Sequence, residues 1–110
     1  MKGFQLKFFV QENHKLHGRL TYEWLLEKAK ASGLRGGSAL RAIAGYGRHG
    51  RLHEDHFFEL GGDLPVVVEF VVTADEAERL LALLDEEKAS LFYVKIPVEF
   101  GVTGGREQSV

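Results

Sequence analysis

Chemistry in this chain concentrates in one stretch. From Gly45 to His56 the sequence GYGRHGRLHEDH combines three glycines, two arginines, three histidines and two carboxylates. Gly45, Gly47 and Gly50 allow backbone conformations closed to other residues and expose amide donors. Arg48 and Arg51 set guanidinium forks beside those amides, and Arg41 precedes them. Amides give short-range donors and arginine gives bidentate charge, a combination suited to phosphate or carboxylate. The same glycines would equally serve a plain solvated hairpin tip, so both readings stand. The stretch is not a Walker-type phosphate loop, because no glycine-lysine-hydroxyl ending occurs. Nor is it a dinucleotide fingerprint, since it follows a strand without opening a helix.

Imidazoles give the stretch a second chemistry. His49, His53 and His56, with Glu54 beside them, form an alternative set for a divalent cation, and His14 and His17 follow the first strand. Imidazole and carboxylate take zinc or nickel, and a subunit interface could unite the two groups. Their spacing matches no established zinc motif. Catalytic signatures are missing: there is no cysteine, no serine elbow and no zinc-protease helix motif. Ser32, Ser38, Ser90 and Ser109 have no base near them in sequence. Glu23 and Glu27 lie one helical turn apart and read as a solvated face. The expectation is a protein that is not an enzyme and requires no cofactor.

A chain of 110 residues accommodates one domain, expected over residues 1–100. The tail 101–110 lacks an apolar pattern and is expected to be mobile unless a neighbouring subunit holds it. A formal charge of −2 gives no basic field for nucleic acid, so the basic residues between Arg41 and Arg51 suggest a local anion site. Without cysteine there is neither a disulfide framework nor a thiolate metal site. No stretch has signal-peptide character or transmembrane length, so no membrane insertion and a cytoplasmic location are expected.

The elements that must position the loop follow from period changes. Phe4, Leu6, Phe8 and Val10 alternate as a strand. Tyr22, Leu25, Leu26 and Ala29 trace a helix face, with Thr21 as expected cap and Gly33 as expected stop. A second strand spans Ser38 to Ala44, and the β-branched run Leu64 to Val72 is a third. Thr73 and Glu76 have capping-box spacing, and Ala77, Leu80, Leu81 and Leu84 form a second helix face. Phe92 to Phe100 alternates as a last strand, which Pro97 assigns to a sheet edge or a bulge. The order β-α-β-β-α-β packs most simply as an α+β, ferredoxin-like sandwich, a four-stranded antiparallel sheet with two helices on one face. Its second face is expected to carry Lys7, Phe9, Arg41, Ile43, Val67, Glu69, Val71, Tyr93, Lys95 and Glu99. That set is too apolar for water and predicts burial against other copies of the chain, charges paired.

The run Leu40-Arg41-Ala42-Ile43-Ala44-Gly45-Tyr46-Gly47, then Leu52-His53 and Asp63-Leu64-Pro65-Val66-Val67-Val68-Glu69, resembles a family of small prokaryotic PII-like proteins. Gly18, Leu20, Tyr22, Glu23, Ala31, Gly33 and Leu34 fit the same pattern, and the resemblance covers residues 4 to 100. It implies a homotrimeric signalling protein that binds an adenine nucleotide (AMP, ADP or ATP) between subunits. It also implies a long loop after the second strand, here 45–56, that docks on a protein partner such as a membrane transporter or metabolic enzyme. PII proteins have a glycine-rich segment with a phosphate-binding lysine before the last strand. Here that segment is Asp85-Glu86-Glu87-Lys88-Ala89-Ser90, so Lys88 is the matching cation and a mononucleotide or other small anion the expected ligand. The expected ligand set is Arg41, Gly45, Tyr46, Gly47, Arg48, Arg51, His53 and Lys88. Arg41 acts as anchor, the glycines as amide donors, and His53 as a hydrogen-bonding partner for phosphate.

Overall fold

The computed structural model of the chain describes residues 1–46, 52–53 and 64–104. Strand β1, Lys2–Gln11, is followed by a two-residue pair, β2 (Lys15–Leu16) and β3 (Arg19–Leu20), which leads into helix α1, Thr21–Ala31. Then come β4 (Ser38–Arg41), the short pair β5 (Gly45–Tyr46) and β6 (Leu52–His53), and β7 (Pro65–Val72). Helix α2, Ala74–Glu86, precedes the last long strand, β8, Phe92–Glu99. The principal sheet has the order β4-β7-β1-β8 with every neighbour antiparallel, as a ferredoxin-like sandwich requires.

The core lies between one sheet face and the two helices. Leu6, Phe8 and Val10 of β1 and Val66, Val68, Phe70 and Val72 of β7 meet Trp24, Leu25 and Ala29 of α1 and Ala77, Leu80 and Leu84 of α2. Phe8 and Phe70 meet edge to face, with centroids 6.1 Å apart. The capping box is complete: Glu76 N–H donates to Thr73 Oγ1 at 3.2 Å, and Thr73 N–H donates to Glu76 Oε1 at 2.9 Å. Gly33 ends the turn after α1 at φ +99°, as expected of a helix stop.

Three expectations are corrected. Thr21 does not cap α1; Leu20 holds the cap position, and Thr21 is the first helical residue, fully buried. Its hydroxyl bonds His14 Nδ1 at 2.5 Å and its amide donates to His14 O at 2.9 Å. The second strand ends at Arg41 and not at Ala44, because only Ser38 to Arg41 pair with β7. The third correction concerns the open sheet face. Phe8 pairs with Tyr93 and Leu6 with Lys95, so Tyr93, Lys95 and Glu99 lie on the helix side, and Arg41 joins them by pairing with Val66. In their place the open face carries Leu40, Phe92, Val94, Ile96 and Val98, beside Phe9, Val67 and Val71. It is therefore more apolar than expected. Lys7 and Glu69 do pair across it, Nζ to Oε2 3.8 Å.

Gly37, just before β4, is pressed against the core: a Cβ there would come within 2.5 Å of Phe70 Cε1. Gly36 has open space around it. Gly37→Ala is expected to lower unfolding stability by about 1–3 kcal/mol, whereas Gly36→Ala should change it by less than about 0.5 kcal/mol. Urea denaturation of the pair checks this, and equal midpoints would contradict the packing.

Candidate functional site

One end of the sheet gathers the elements that could hold a ligand. The β1–β7 register opposes Gln11 with Pro65, so the end of β1 meets the start of β7 there. Arg41, opposite Val66, ends β4 at the same place, and Phe92, opposite Phe9, starts β8 beside it. Because α2 runs back from the far end, its last turn and Lys88 also arrive here. The backbone is tied locally: Glu12 N–H donates to Leu64 O at 2.8 Å and Ala42 N–H donates to Pro65 O at 2.9 Å. Both stems of the 45–63 segment are thus anchored at this end. β5 and β6 continue the stem as a small ladder, Gly45 opposite His53 and Tyr46 opposite Leu52.

Arg41 is exposed, and its Nη2 donates to Glu12 Oε2 in a short ion pair. Gly45 lies over Pro65, whose Cγ is 3.8 Å from the place a Cβ would take. Ile43 and Tyr46 present apolar and aromatic surface to solvent, 83% and 71% exposed. Lys88 follows α2 at φ +58°, its N–H donating to Asp85 O at 3.1 Å. Beside it lies a cavity of about 110 Å³ lined by Phe8, Leu81, Leu84, Asp85, Ala89, Leu91 and Tyr93.

Arg41, Gly45, Tyr46 and Lys88 therefore share one end of the sheet, but not one spot. Arg41 ends the edge strand on one side, while Lys88 leads into the edge strand on the other. Three strand spacings, about 14 Å, separate those edges. Gly47, Arg48, Arg51, His49 and His56 lie outside the described residues, and so does the side chain of His53. Among the described residues no three histidine, aspartate or glutamate side chains come together as a metal site.

A neighbouring cluster escaped the sequence reading. His17 and Gly18 turn the β2–β3 pair with φ +55° and +77°, the positive pair that a tight hairpin of this kind needs. The His17 ring lies 5.7 Å from that of Trp24, and its Nε2 is 3.4 Å from Glu87 Oε1, just past α2. Lys28 Nζ approaches Glu87 Oε2 at 3.5 Å and sits 5.9 Å above the Trp24 ring. Arg19 pairs with Glu27 on α1, which holds the Glu27 carboxyl below its ordinary range. The hairpin is thereby fastened to both helices. A histidine-glycine pair between short polar runs was its one sequence signal. Trp24 is the sole tryptophan, so His17→Ala should uncover the indole and red-shift its fluorescence; an unchanged spectrum would mean that the hairpin does not rest on Trp24.

Comparison with known proteins places this architecture. Residues 3–99 match the family DUF190 (Uncharacterized ACR). A UPF0166 protein of Aquifex aeolicus (strain VF5) is 41% identical over 83 residues, 76% of each chain. Among solved structures, CPII, a nitrogen regulatory PII-like protein from Thiomonas intermedia K12 bound to ADP, AMP and bicarbonate, superposes with a TM-score of 0.64. Its identity is 18%, with 89% of this chain and 87% of that one covered. A putative PII-like signaling protein from Thermus thermophilus gives a TM-score of 0.59 at 18% identity, covering 89% and 88%. The shared feature is the PII-like fold.

Proposed function

Since the chain belongs to the DUF190 family and has the PII-like fold, we propose that it is a non-enzymatic regulator acting as a homotrimer. In this reading it binds a small anionic ligand, an adenine nucleotide, between subunits and signals through the 45–56 loop to a protein partner. The observation that carries it is the placement of Arg41 and Lys88 at one end of the sheet but at opposite edges. A rotational neighbour that sets its β8 edge against the β4 edge of the first subunit brings the two cations together. Such a head-to-tail contact, repeated at a third of a turn, closes into a ring of three. The ADP and AMP bound by CPII are ligands of the matching chemistry.

The open sheet face supports the assembly. Phe9, Leu40, Val71, Phe92 and Ile96 are each 36–50% exposed in the single chain. Burying the rest of each adds about 1 kcal/mol, half the value of a fully buried large apolar side chain. The charge on this face is already neutralised by the Lys7–Glu69 pair. At the ligand, Arg41 would grip phosphate, Gly45 and Gly47 would let it approach backbone amides, and Arg48, Arg51 and His53 would add charge and hydrogen bonds. Tyr46 would offer its ring to a base, and Lys88 would come from the neighbour. A change in how the loop meets its partner on binding is the output.

Light scattering should give about three times the 12.3 kDa chain mass, and Val71→Asp on the open face should give monomer. A monomeric parent chain contradicts the assembly. Calorimetry with AMP, ADP, ATP and cyclic AMP should show nucleotide binding that Arg41→Ala weakens about tenfold or more. Titration with zinc and nickel is the parallel arm. Heat from the metals and none from any nucleotide at millimolar concentration would overturn the reading.

A further inference from the structure

We propose that Glu12 is an internal competitor for the anion site, occupying the Arg41 guanidinium until a ligand displaces it. The inference rests on the anion-binding reading above and names its regulation. Glu12 Oε2 accepts from Arg41 Nη2, the donor that an incoming phosphate or carboxylate would use. The two side chains differ in exposure: that of Arg41 is 59% exposed, that of Glu12 18%. Glu12 is also held by its backbone, whose N–H donates to Leu64 O at 2.8 Å. The carboxylate is thus the more buried partner, on a backbone tied to β7, and the arginine is the one that solvent reaches.

An anion arriving at Arg41 meets that carboxylate at the same guanidinium. Like charges at one cation repel, so the ligand binds by exchanging with Glu12 and the measured affinity is the difference between the two pairings. The exchange also has a structural consequence. Glu12 reaches both stems of the 45–63 segment from the β1 side: its backbone bonds Leu64 at the start of β7, and its side chain crosses that stem to Arg41, next to Ala42. Breaking its contact with Arg41 removes a side-chain tie between the end of β1 and the outgoing stem. The tie to the returning stem remains. Ligand exchange therefore leaves the outgoing stem held by its backbone bonds alone, which gives the 45–56 loop a mechanical input.

Glu12→Gln keeps the shape and removes the charge. Calorimetry with AMP and with inorganic phosphate should show Glu12→Gln binding about two- to fivefold tighter than the parent, the range of an exposed ion pair. On an Arg41→Ala background the same change should have no effect. Glu99→Gln, at the far end of the sheet, controls for overall charge and should leave affinity unaltered. The proposal is overturned if Glu12→Gln binds no tighter than the parent, or if its gain persists without Arg41 or is matched by Glu99→Gln. Binding that is normal in the parent and unmoved by Glu12→Gln sinks this proposal alone. Absence of binding by the parent and by every variant sinks the anion-binding reading and this proposal with it. Urea denaturation of Glu12→Gln guards against a misfolded stem: a parent-like midpoint is required for the affinities to count in favour.

Discussion

β1 is hydrogen-bonded along both edges, to β7 on one side and β8 on the other, and the rest of the molecule is arranged around that fact. A central strand has no free edge, so its side chains decide what each sheet face must become. Leu6, Phe8 and Val10 are buried on one face, and the helices close over them. Lys7 and Phe9 project from the other, where neither of the described helices lies. With Val67 and Val71 of β7 and the apolar row of β8, that face is a largely hydrophobic surface that carries the Lys7–Glu69 ion pair. A sheet with two apolar faces and the described helices on only one of them fits a subunit built for assembly.

The same strand determines where a ligand could go. Its C-terminal end, at Gln11 and Glu12, meets the start of β7, the end of β4 and the return from α2. Basic residues arrive there from two edges, and the segment between residues 46 and 64 leaves from and returns to the same end. The β2–β3 hairpin then packs its turn on Trp24 and Glu87, so α1, α2 and the hairpin are locked together next to Lys88. In the proposed assembly the rigid half of the site thus comes from this locked corner, and the responsive half from the stems.

Much of the fold was legible from residue spacing. The α2 face, the Leu25 and Ala29 part of the α1 face, the Thr73–Glu76 box, the stop at Gly33 and the edge position of the Pro97 strand are local properties, encoded within a few residues. The phase of β4 and β8 was not. Phe92, Val94, Ile96 and Val98 form the more apolar row, which spacing alone assigns to the core. Pairing of Phe9 with Phe92 puts that row on the open face. Alternation states that a strand has two faces, and only the register with its neighbour says which is which. The site was legible in the same partial way. Arg41 could be singled out by type and position, whereas its partner Glu12 is 29 residues away and could be found only by folding the chain. Thr21 is a similar case, since a threonine before a helix reads as a cap until His14 is seen to claim its hydroxyl.

The central claim is that one anion is held by Arg41 of one subunit and Lys88 of the next. Subunit mixing tests it most directly. Arg41→Ala and Lys88→Ala each remove one half of every site in a homogeneous oligomer. Unfolded together and refolded as a mixture, they form interfaces in which an intact Arg41 from one variant faces an intact Lys88 from the other. Calorimetry on the mixture should recover part of the AMP affinity that each variant loses. A mixture that binds no better than either variant alone, with subunit exchange verified, would contradict a site shared between subunits.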